Sequence, residues 1–127
     1  MKLLILAALS IGLGFSQSDD CDTLDQCQEA LQANRRSSLL HFRIGEIYFL
    51  QRNYQTAYNE LRQSLNGDLQ PRWTEVWAHV DLGKIFDVSG QRDRAINEYR
   101  QALKTKDNTR GALDEAAKYI VAPYKLN

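Results

Sequence analysis

An internal repeat limits the possible folds of this 127-residue chain more than any other feature. Residues 41–65, HFRIGEIYFLQRNYQTAYNELRQSL, align with residues 79–103, HVDLGKIFDVSGQRDRAINEYRQAL. Self-similarity at such a spacing is typical of stacked structural units that each contact their neighbours. Nine of the 25 aligned positions are identical, namely His41/His79, Gly45/Gly83, Ile47/Ile85, Ala57/Ala95, Asn59/Asn97, Glu60/Glu98, Arg62/Arg100, Gln63/Gln101 and Leu65/Leu103.

The spacing of the apolar residues predicts that each copy is helical. Apolar side chains recur every three or four residues, as in Leu40, Ile44 and Ile47, and no stretch alternates convincingly in the manner of a strand. The chain is rich in residues that favour helices, and only two prolines and seven glycines interrupt them. We therefore predict an all-α fold of about six helices.

The repeated residues resemble the tetratricopeptide repeat, a helix–turn–helix unit of about 34 residues with the pattern W-x2-L-G-x2-Y followed by A-x3-F. In both copies the distance along the chain from the glycine to the alanine is that of the family. The resemblance implies a solenoid of antiparallel helix pairs, in which the small residues let the two helices of a pair approach closely. The matching positions are Ile44/Leu82, Gly45/Gly83, Tyr48/Phe86 and Ala57/Ala95.

The copies depart from the family pattern in three respects. His41 and His79 replace the leading tryptophan, and the closing proline is absent. The period exceeds the family's by four residues, which predicts an insertion around residues 67–71. We expect this insertion to extend the turn there or the start of the next helix.

The same alignment implies the organisation of the whole domain, 22–122. Since roughly three repeats are needed for independent stability, degenerate half-repeats at both ends are expected to act as caps. In the last of these, Ala117 stands where the glycine would fall. The predicted segments are a half-repeat over 22–37, repeats over 38–71 and 76–109, a capping helix over 110–122 and a tail over 123–127.

Residues 1–16 have the layout of a secretory signal peptide. Lys2 precedes an apolar run of about 13 residues, and small residues at Gly14 and Ser16 predict cleavage after Ser16. The run is too short to span a bilayer permanently, and no second run of membrane length follows. We therefore expect a secreted or periplasmic protein with no stable membrane insertion and a polar leader over 17–21.

The charge of the predicted mature chain argues against nucleic acid as a partner. The whole chain has 16 basic and 16 acidic side chains, and removal of Lys2 with the signal peptide leaves 15 against 16, or −1. A chain this close to neutral has no broad positive field to attract phosphate groups.

Export changes the interpretation of the two cysteines, Cys21 and Cys27. A lone pair of nearby thiols in an exported protein is most simply a disulfide, with free thiols or an intermolecular bridge as the alternatives. Residues six apart on one helix are about 9 Å apart along its axis, too far for a disulfide. An intrachain bond therefore requires Cys21 to precede the helix, with Asp22 or Thr23 as its N-cap.

No arrangement of residues predicts catalysis, a metal or a cofactor. The sequence lacks a nucleophile elbow, a phosphate-binding glycine loop and zinc-ligand spacing. Equivalent histidines in adjacent repeats would lie about a helix diameter apart, or roughly 10 Å, too far to share a metal ion. We expect His41 and His79 to be packing or surface residues, and we regard a small enzyme as a remote alternative.

The resemblance also implies where a partner would bind, because the first helix of each repeat lines the concave surface in the family. We expect Phe42, Phe49 and Trp77 to be the anchors for an apolar peptide or protein segment. The charged residues Glu46, Lys84 and Asp87 would then select partners. Carboxylate capture is not expected, since Phe42 and Glu46 stand where such members carry basic or amide residues. The predicted partner-binding residues are Leu39, Phe42, Glu46, Phe49, Trp77, Val80, Lys84 and Asp87.

Two alternatives to partner binding remain open at this stage. Leu39, Phe42 and Phe49 form an apolar stripe in the first repeat, and Trp77 and Val80 are at matching positions in the second. The N-terminal helix or the C-terminal cap could fold over this apolar stripe and make it part of the core. The stripe could also be a homodimer interface in a structural, self-associating protein. We expect a monomer or a weakly associating homodimer.

Overall fold

The computed structural model describes residues 20–127, and every regular element in this range is helical. This confirms the prediction of an all-α chain of about six helices. The predicted signal peptide, and residues 17–19 of the polar leader, lie outside the described residues. The helices are α1 (Leu24–Ala33), α2 (Ser38–Leu50), α3 (Tyr54–Leu65), α4 (Trp73–Val88), α5 (Arg92–Lys104) and α6 (Ala112–Val121), with a 3₁₀ turn at Thr109–Gly111 before α6.

The six helices form two layers. Helices α2 and α3 pair closely, as do α4 and α5, and the first helix of each pair also contacts the first helix of the next, so that α2 contacts α4 and α4 contacts α6. Helices α1, α3 and α5 lack comparable contacts with one another. The closer spacing of α2, α4 and α6 puts them on the inner side of the array, and we call them the inner layer. Helices α1, α3 and α5 are the outer layer.

Two glycines of the inner layer permit the tight pairing inside each repeat. A Cβ atom at Gly45 would lie 2.9 Å from the Leu61 Cγ atom, and one at Gly83 would lie 2.3 Å from the Tyr99 Cε1 atom. Both distances are shorter than a van der Waals contact, so any larger residue would push the outer helix away. The close approach expected from the repeat pattern is therefore present in both pairs.

The predicted insertion lengthens both the loop and the helix that follows it. The loop between α3 and α4 covers residues 66–72, and α4 has 16 residues where α2 has 13. The loop is fixed to the start of α2, because the Leu69 amide donates to the Ser38 hydroxyl oxygen at 2.8 Å. Buried Ser38 and Ser64 also exchange hydrogen bonds, each hydroxyl donating to the other residue's carbonyl oxygen at 2.6 and 2.8 Å.

At the N-terminal end, Cys21 and Cys27 form a disulfide with their Cα atoms 5.2 Å apart. Cys21 precedes α1, and Thr23 caps the helix, its hydroxyl oxygen accepting from the Gln26 amide at 3.2 Å. The arrangement is the one that helix geometry requires for a bond between residues six apart. The disulfide fixes the polar segment before α1 to the first turns of that helix.

The buried small residue of α6 lies one position away from the one that the sequence alignment predicts. Ala112 and Ala116 are fully buried, whereas Ala117, predicted at the place of the glycine, is exposed. The turn between α5 and α6 contains a 3₁₀ segment, and Gly111 before α6 has a left-handed backbone with φ of 76°. The small residue that packs against the array is therefore Ala116, one position earlier than the family spacing from Gly83 predicts.

Candidate functional site

The inner layer carries all eight residues that the sequence predicted as partner contacts, but three of them are core residues. Leu39, Phe42 and Val80 are 7, 2 and 0% exposed, so they are not available to a partner. Phe42 is covered by the extra turn of α4, because the Trp73 ring packs edge-on at 5.4 Å from it. Val80 lies in the cluster that also contains the buried Ala112 and Ala116 of α6. The prediction of these three as contact residues is wrong.

Asp87 is also committed to the fold instead of facing a partner. Its side chain is 1% exposed, and its carboxylate accepts from the Arg92 guanidinium at 3.0 Å and from the Tyr99 hydroxyl at 2.7 Å. It accepts a third hydrogen bond, at 2.9 Å, from the backbone amide of Tyr124. Burial and the hydrogen bond to Asp87 raise the pKa of the Tyr99 hydroxyl well above its usual range. Asp87 therefore joins α4, α5 and the segment after α6.

Lys84 lies at the centre of the inner layer among carboxylates and aromatic rings. Its ammonium group is 3.1 Å from the Glu115 carboxylate and 4.0 Å from that of Asp81. It also lies 5.8, 5.7 and 5.3 Å from the ring centres of Trp77, Tyr119 and Tyr124. Cations placed against aromatic faces at this range are attracted to them. A single ammonium thus joins α4 to α6 and to the tail.

Burial of this charge cluster changes how its members titrate. Burial raises the pKa of the Asp81 carboxyl to about 7, although the Lys84 charge opposes the shift, and the charges of Glu46 and Glu115 reinforce it. Burial alone would lower the pKa of Lys84, but Asp81 and Glu115 more than offset it, so this pKa is raised. Asp81 was not among the sequence predictions, since a single acidic residue on a helix carries no signal of burial.

Tyr124, in the 123–127 tail, packs across the inner layer. Its ring lies edge-on to Tyr119 at 5.3 Å and tilted against Phe49 at 6.2 Å between centres. Together with the bond from its amide to Asp87, these contacts reach α2, α4 and α6. Burial raises the pKa of the Tyr124 hydroxyl. The covering of the apolar stripe by the C-terminal end of the chain, which was one alternative, therefore occurs in part: α6 packs on Val80, and the tail packs on Phe49.

Phe49 and Trp77 are both half-buried. The Phe49 ring packs edge-on against Tyr54 at 5.6 Å and against the tail. The Trp77 indole N–H donates to the Thr109 carbonyl oxygen at 2.9 Å, which ties α4 to the turn before α6. Trp77 consequently has a structural role in addition to any contact with a partner.

Glu46 belongs to a second ionic cluster at the N-terminal end of the inner layer. The Arg43 guanidinium donates to Glu46 at 2.9 Å and to both carboxylate oxygens of Asp20 at 2.8 and 2.9 Å. The hydrogen bond from Arg43 lowers the pKa of Asp20. Arg43 also lies 5.3 Å from the Trp73 ring centre. This cluster holds the segment before α1 against α2.

The large apolar residues that are exposed in the described part of the chain are confined to the inner layer and the tail. Leu50 is 80% exposed, Val121 is 86% exposed and Leu126 is 39% exposed. Leu50, Val88 and Val121 are the last residues of α2, α4 and α6. Because equivalent helices in a solenoid run parallel, these three residues lie along one edge of the inner layer, which we call the apolar edge.

The outer side of the array has a hollow of about 460 Å³ between α1 and the α2–α3 pair. His41 and Glu60 line this hollow, and they form a pair that recurs in the second repeat. The His41 ring bonds to Glu60 at 2.7 Å, and the equivalent His79 ring bonds to Glu98 at 2.8 Å. The bond to Glu60 raises the pKa of His41. These two histidines and two glutamates all occupy positions that are identical in the two repeats. That shared identity was the signal in the sequence from which the His–Glu pairing could have been predicted.

Within residues 20–127, no group of His, Cys, Asp or Glu side chains has an arrangement that could hold a metal ion. Over the same range, no helix is long and apolar enough to cross a membrane.

The helix pairs, the glycine contacts and the stacked inner layer match a known family. A sequence model of the family described as "Tetratricopeptide repeat" matches residues 17–106. This chain belongs to the tetratricopeptide repeat family. The family and the fold are those of protein–protein interaction modules, which are typically non-catalytic.

Two known proteins show the extent of the similarity. The chain is 24% identical over 115 residues to the human (Homo sapiens) "Nuclear autoantigenic sperm protein", covering 86% of this chain but only 14% of that protein. It also superposes on a crystal structure of MamA with a TM-score of 0.57 and 20% identity, covering 76% of this chain and 62% of that one. The second similarity concerns the fold. In both comparisons this chain spans less than two thirds of the other protein.

Proposed function

We propose that this tetratricopeptide repeat protein is a non-catalytic adaptor that binds an apolar peptide or protein segment along its inner layer. The observation that carries the proposal is the distribution of exposed apolar side chains. Leu50 and Val121 stand almost fully in solvent at the apolar edge, and in the described chain no large apolar residue of the outer layer is comparably exposed. Leu50 and Val121 end α2 and α6, so a partner segment that crosses the three inner helices at this edge would cover both.

The charged side chains next to the apolar edge favour a partner segment whose polar groups lie opposite those charges. Glu46 and Glu115 are partly exposed, and they pair with Arg43 and Lys84 respectively. Charges at the rim of an interface act mainly on the association rate and on the choice of partner. An amphipathic helix or an extended peptide has the shape to contact all three inner helices at once.

Selection of peptides from a random display library on the folded chain would test the proposal. We expect the selected peptides to lose affinity about fivefold on Leu50→Ala or Val121→Ala, which remove contact area without touching the core. Gln101→Ala, on the exposed side of α5, is the matched control and should leave affinity unchanged. Peptides that respond to Gln101→Ala but not to the two edge variants would contradict the proposal.

The same edge provides the alternative of a homodimer interface. Sedimentation of the chain across a wide concentration range distinguishes the two. A monomer at all concentrations leaves the edge free for a partner, whereas a dimer that Leu50→Ala dissociates would make the edge a self-association surface.

We also propose that the protein is exported and matures by cleavage after Ser16, in agreement with the disulfide, since such bonds persist in oxidising compartments. The intact mass of protein recovered from the medium or the periplasm tests this. A product that retains the segment from Met1 to Ser16 would contradict the cleavage.

A further inference from the structure

We infer that Tyr124 occupies a binding subsite of the inner layer, and that this subsite accepts an aromatic residue from an extended partner segment in competition with the tail. The inference rests on the proposed function, because it specifies what the inner layer recognises. In it, the tail is an intramolecular ligand that a partner must displace.

The contacts of Tyr124 have the form of a bound peptide residue. Its backbone amide donates to the Asp87 carboxylate at 2.9 Å, and its ring packs against Phe49 and Tyr119. The Lys84 ammonium lies 5.3 Å from the ring centre. These contacts combine one main-chain hydrogen bond, aromatic walls and a cation on the ring, and they come from three different helices. Recognition of extended peptides uses the same combination of main-chain bonds and side-chain pockets.

The rest of the tail shows that Tyr124 alone anchors it. Ala122, Pro123 and Lys125 are exposed, as are the two residues that follow, and only Tyr124 is half-buried. A segment held through one side chain can leave and return without disturbing the helices, because little apolar area is lost. Departure of the ring uncovers Phe49 and Tyr119, which belong to the layer that carries the apolar edge.

The subsite also specifies the chemistry of the competing residue. The Lys84 ammonium is surrounded by rings, which favours an aromatic side chain, and its charge disfavours a basic one. The buried Asp87 carboxylate requires a backbone N–H from that residue, which excludes proline at the same position. The partner class is therefore an extended peptide with a tyrosine or phenylalanine at the anchor.

Competition reduces the apparent affinity of a partner by the fraction of molecules in which the tail is displaced. A tail that closes the subsite in nine molecules of ten weakens external binding about tenfold. Tethering to α6 gives the tail an effective concentration in the millimolar range, so even a weak contact suffices for this occupancy.

A synthetic peptide with the sequence of residues 121–127, VAPYKLN, is the probe for the subsite. We expect the full chain with Tyr124→Ala to bind it at least about tenfold more tightly than the unchanged chain does. Tyr124→Phe keeps the ring and should behave as the unchanged chain. The same peptide with alanine in place of its tyrosine should not bind, and Phe49→Ala added to Tyr124→Ala should abolish binding of the original peptide.

Equal affinity of the peptide for the unchanged chain and for Tyr124→Ala would overturn the inference, as would failure to bind Tyr124→Ala at several millimolar. If Tyr124→Ala does not fold, the unchanged chain is titrated with the peptide instead, and the Tyr124 amide resonance should move towards its position in a disordered segment. A resonance that stays in place at saturation would equally overturn it. If the tail peptide fails while library peptides still bind the apolar edge, only the subsite is wrong; if neither binds, the proposed function fails as well.

Discussion

Gly83→Ala should destabilise the protein through one well-defined steric conflict. The new Cβ atom would lie 2.3 Å from the Tyr99 Cε1 atom, while two carbon atoms need roughly 3.5 Å, so the ring must move by about 1 Å. The ring has little freedom, because Tyr99 is fully buried and its hydroxyl is held by Asp87 at 2.7 Å. Overpacking of this kind costs up to about 3 kcal/mol, and alanine returns about 1 kcal/mol of helix propensity. We expect a net loss of about 2 kcal/mol.

The equivalent change in the first repeat serves as the comparison. At Gly45 the nearest atom, Leu61 Cγ, would lie 2.9 Å away, so the required movement is about half as large. The cost of overpacking and the gain in propensity then nearly cancel, and Gly45→Ala should change stability by less than about 1 kcal/mol. Urea unfolding followed by circular dichroism measures both variants, with unchanged m-values as the sign of unchanged folded and unfolded states. Equal stability of Gly83→Ala and the unchanged chain would refute the reasoning.

Three further predictions use other features of the chain. Burial holds the pKa of Asp81 at about 7, so the folded protein keeps a proton that the unfolded chain has lost above about pH 4. This proton adds stability near pH 5 that disappears as the pH rises through 7. Urea titrations should show the free energy of unfolding falling between pH 5 and 8, and Asp81→Asn should remove about 1–3 kcal/mol of that fall. His41 titrates in the same direction, but it is present in both the unchanged chain and the Asp81→Asn variant. The difference between their two stability–pH profiles therefore isolates Asp81. Arg52 has a left-handed φ of 62° at the turn position that Gly90 occupies in the second repeat. Arg52→Gly should therefore stabilise the folded protein by about 0.5–1 kcal/mol, which would be measured as a higher thermal midpoint. Reduction of the disulfide at Cys21 should cost about 2–3 kcal/mol, measured with and without reductant, and an unchanged midpoint would contradict its role in fixing α1.

The sequence was sufficient for those parts of the fold that each repeat determines locally. Helical periodicity and the glycine and alanine positions lie within single helix pairs, and the structure contains the same pairs with Gly45 and Gly83 at their closest approach. The disulfide geometry could also be derived, because helix rise alone decides which residues can be joined.

The burial of individual inner-layer residues could not be predicted, because it depends on contacts between repeats. Phe42 was expected to face a partner, but the insertion adds a turn to α4 and brings Trp73 over its ring. The sequence located the insertion without giving the direction in which the added turn projects. The contacts of Tyr124 could not be predicted for a related reason, since a tyrosine after Pro123 in a short tail has no periodicity to connect it with Phe49.

These differences relocate the expected binding surface within the inner layer. In a long solenoid the central positions of the first helices can face a partner, since neighbouring repeats on both sides stabilise the array. Here the buried Phe42 packs against Trp73 of α4, and Val80 packs with alanines of α6. Asp87 is bonded to the segment after α6, so these positions join one repeat to the next. We propose that recognition uses the apolar edge at the ends of the helices and the subsite that Tyr124 fills. A partner of this protein should therefore contact the ends of the inner helices and place an aromatic residue between them, instead of lying along their middle turns.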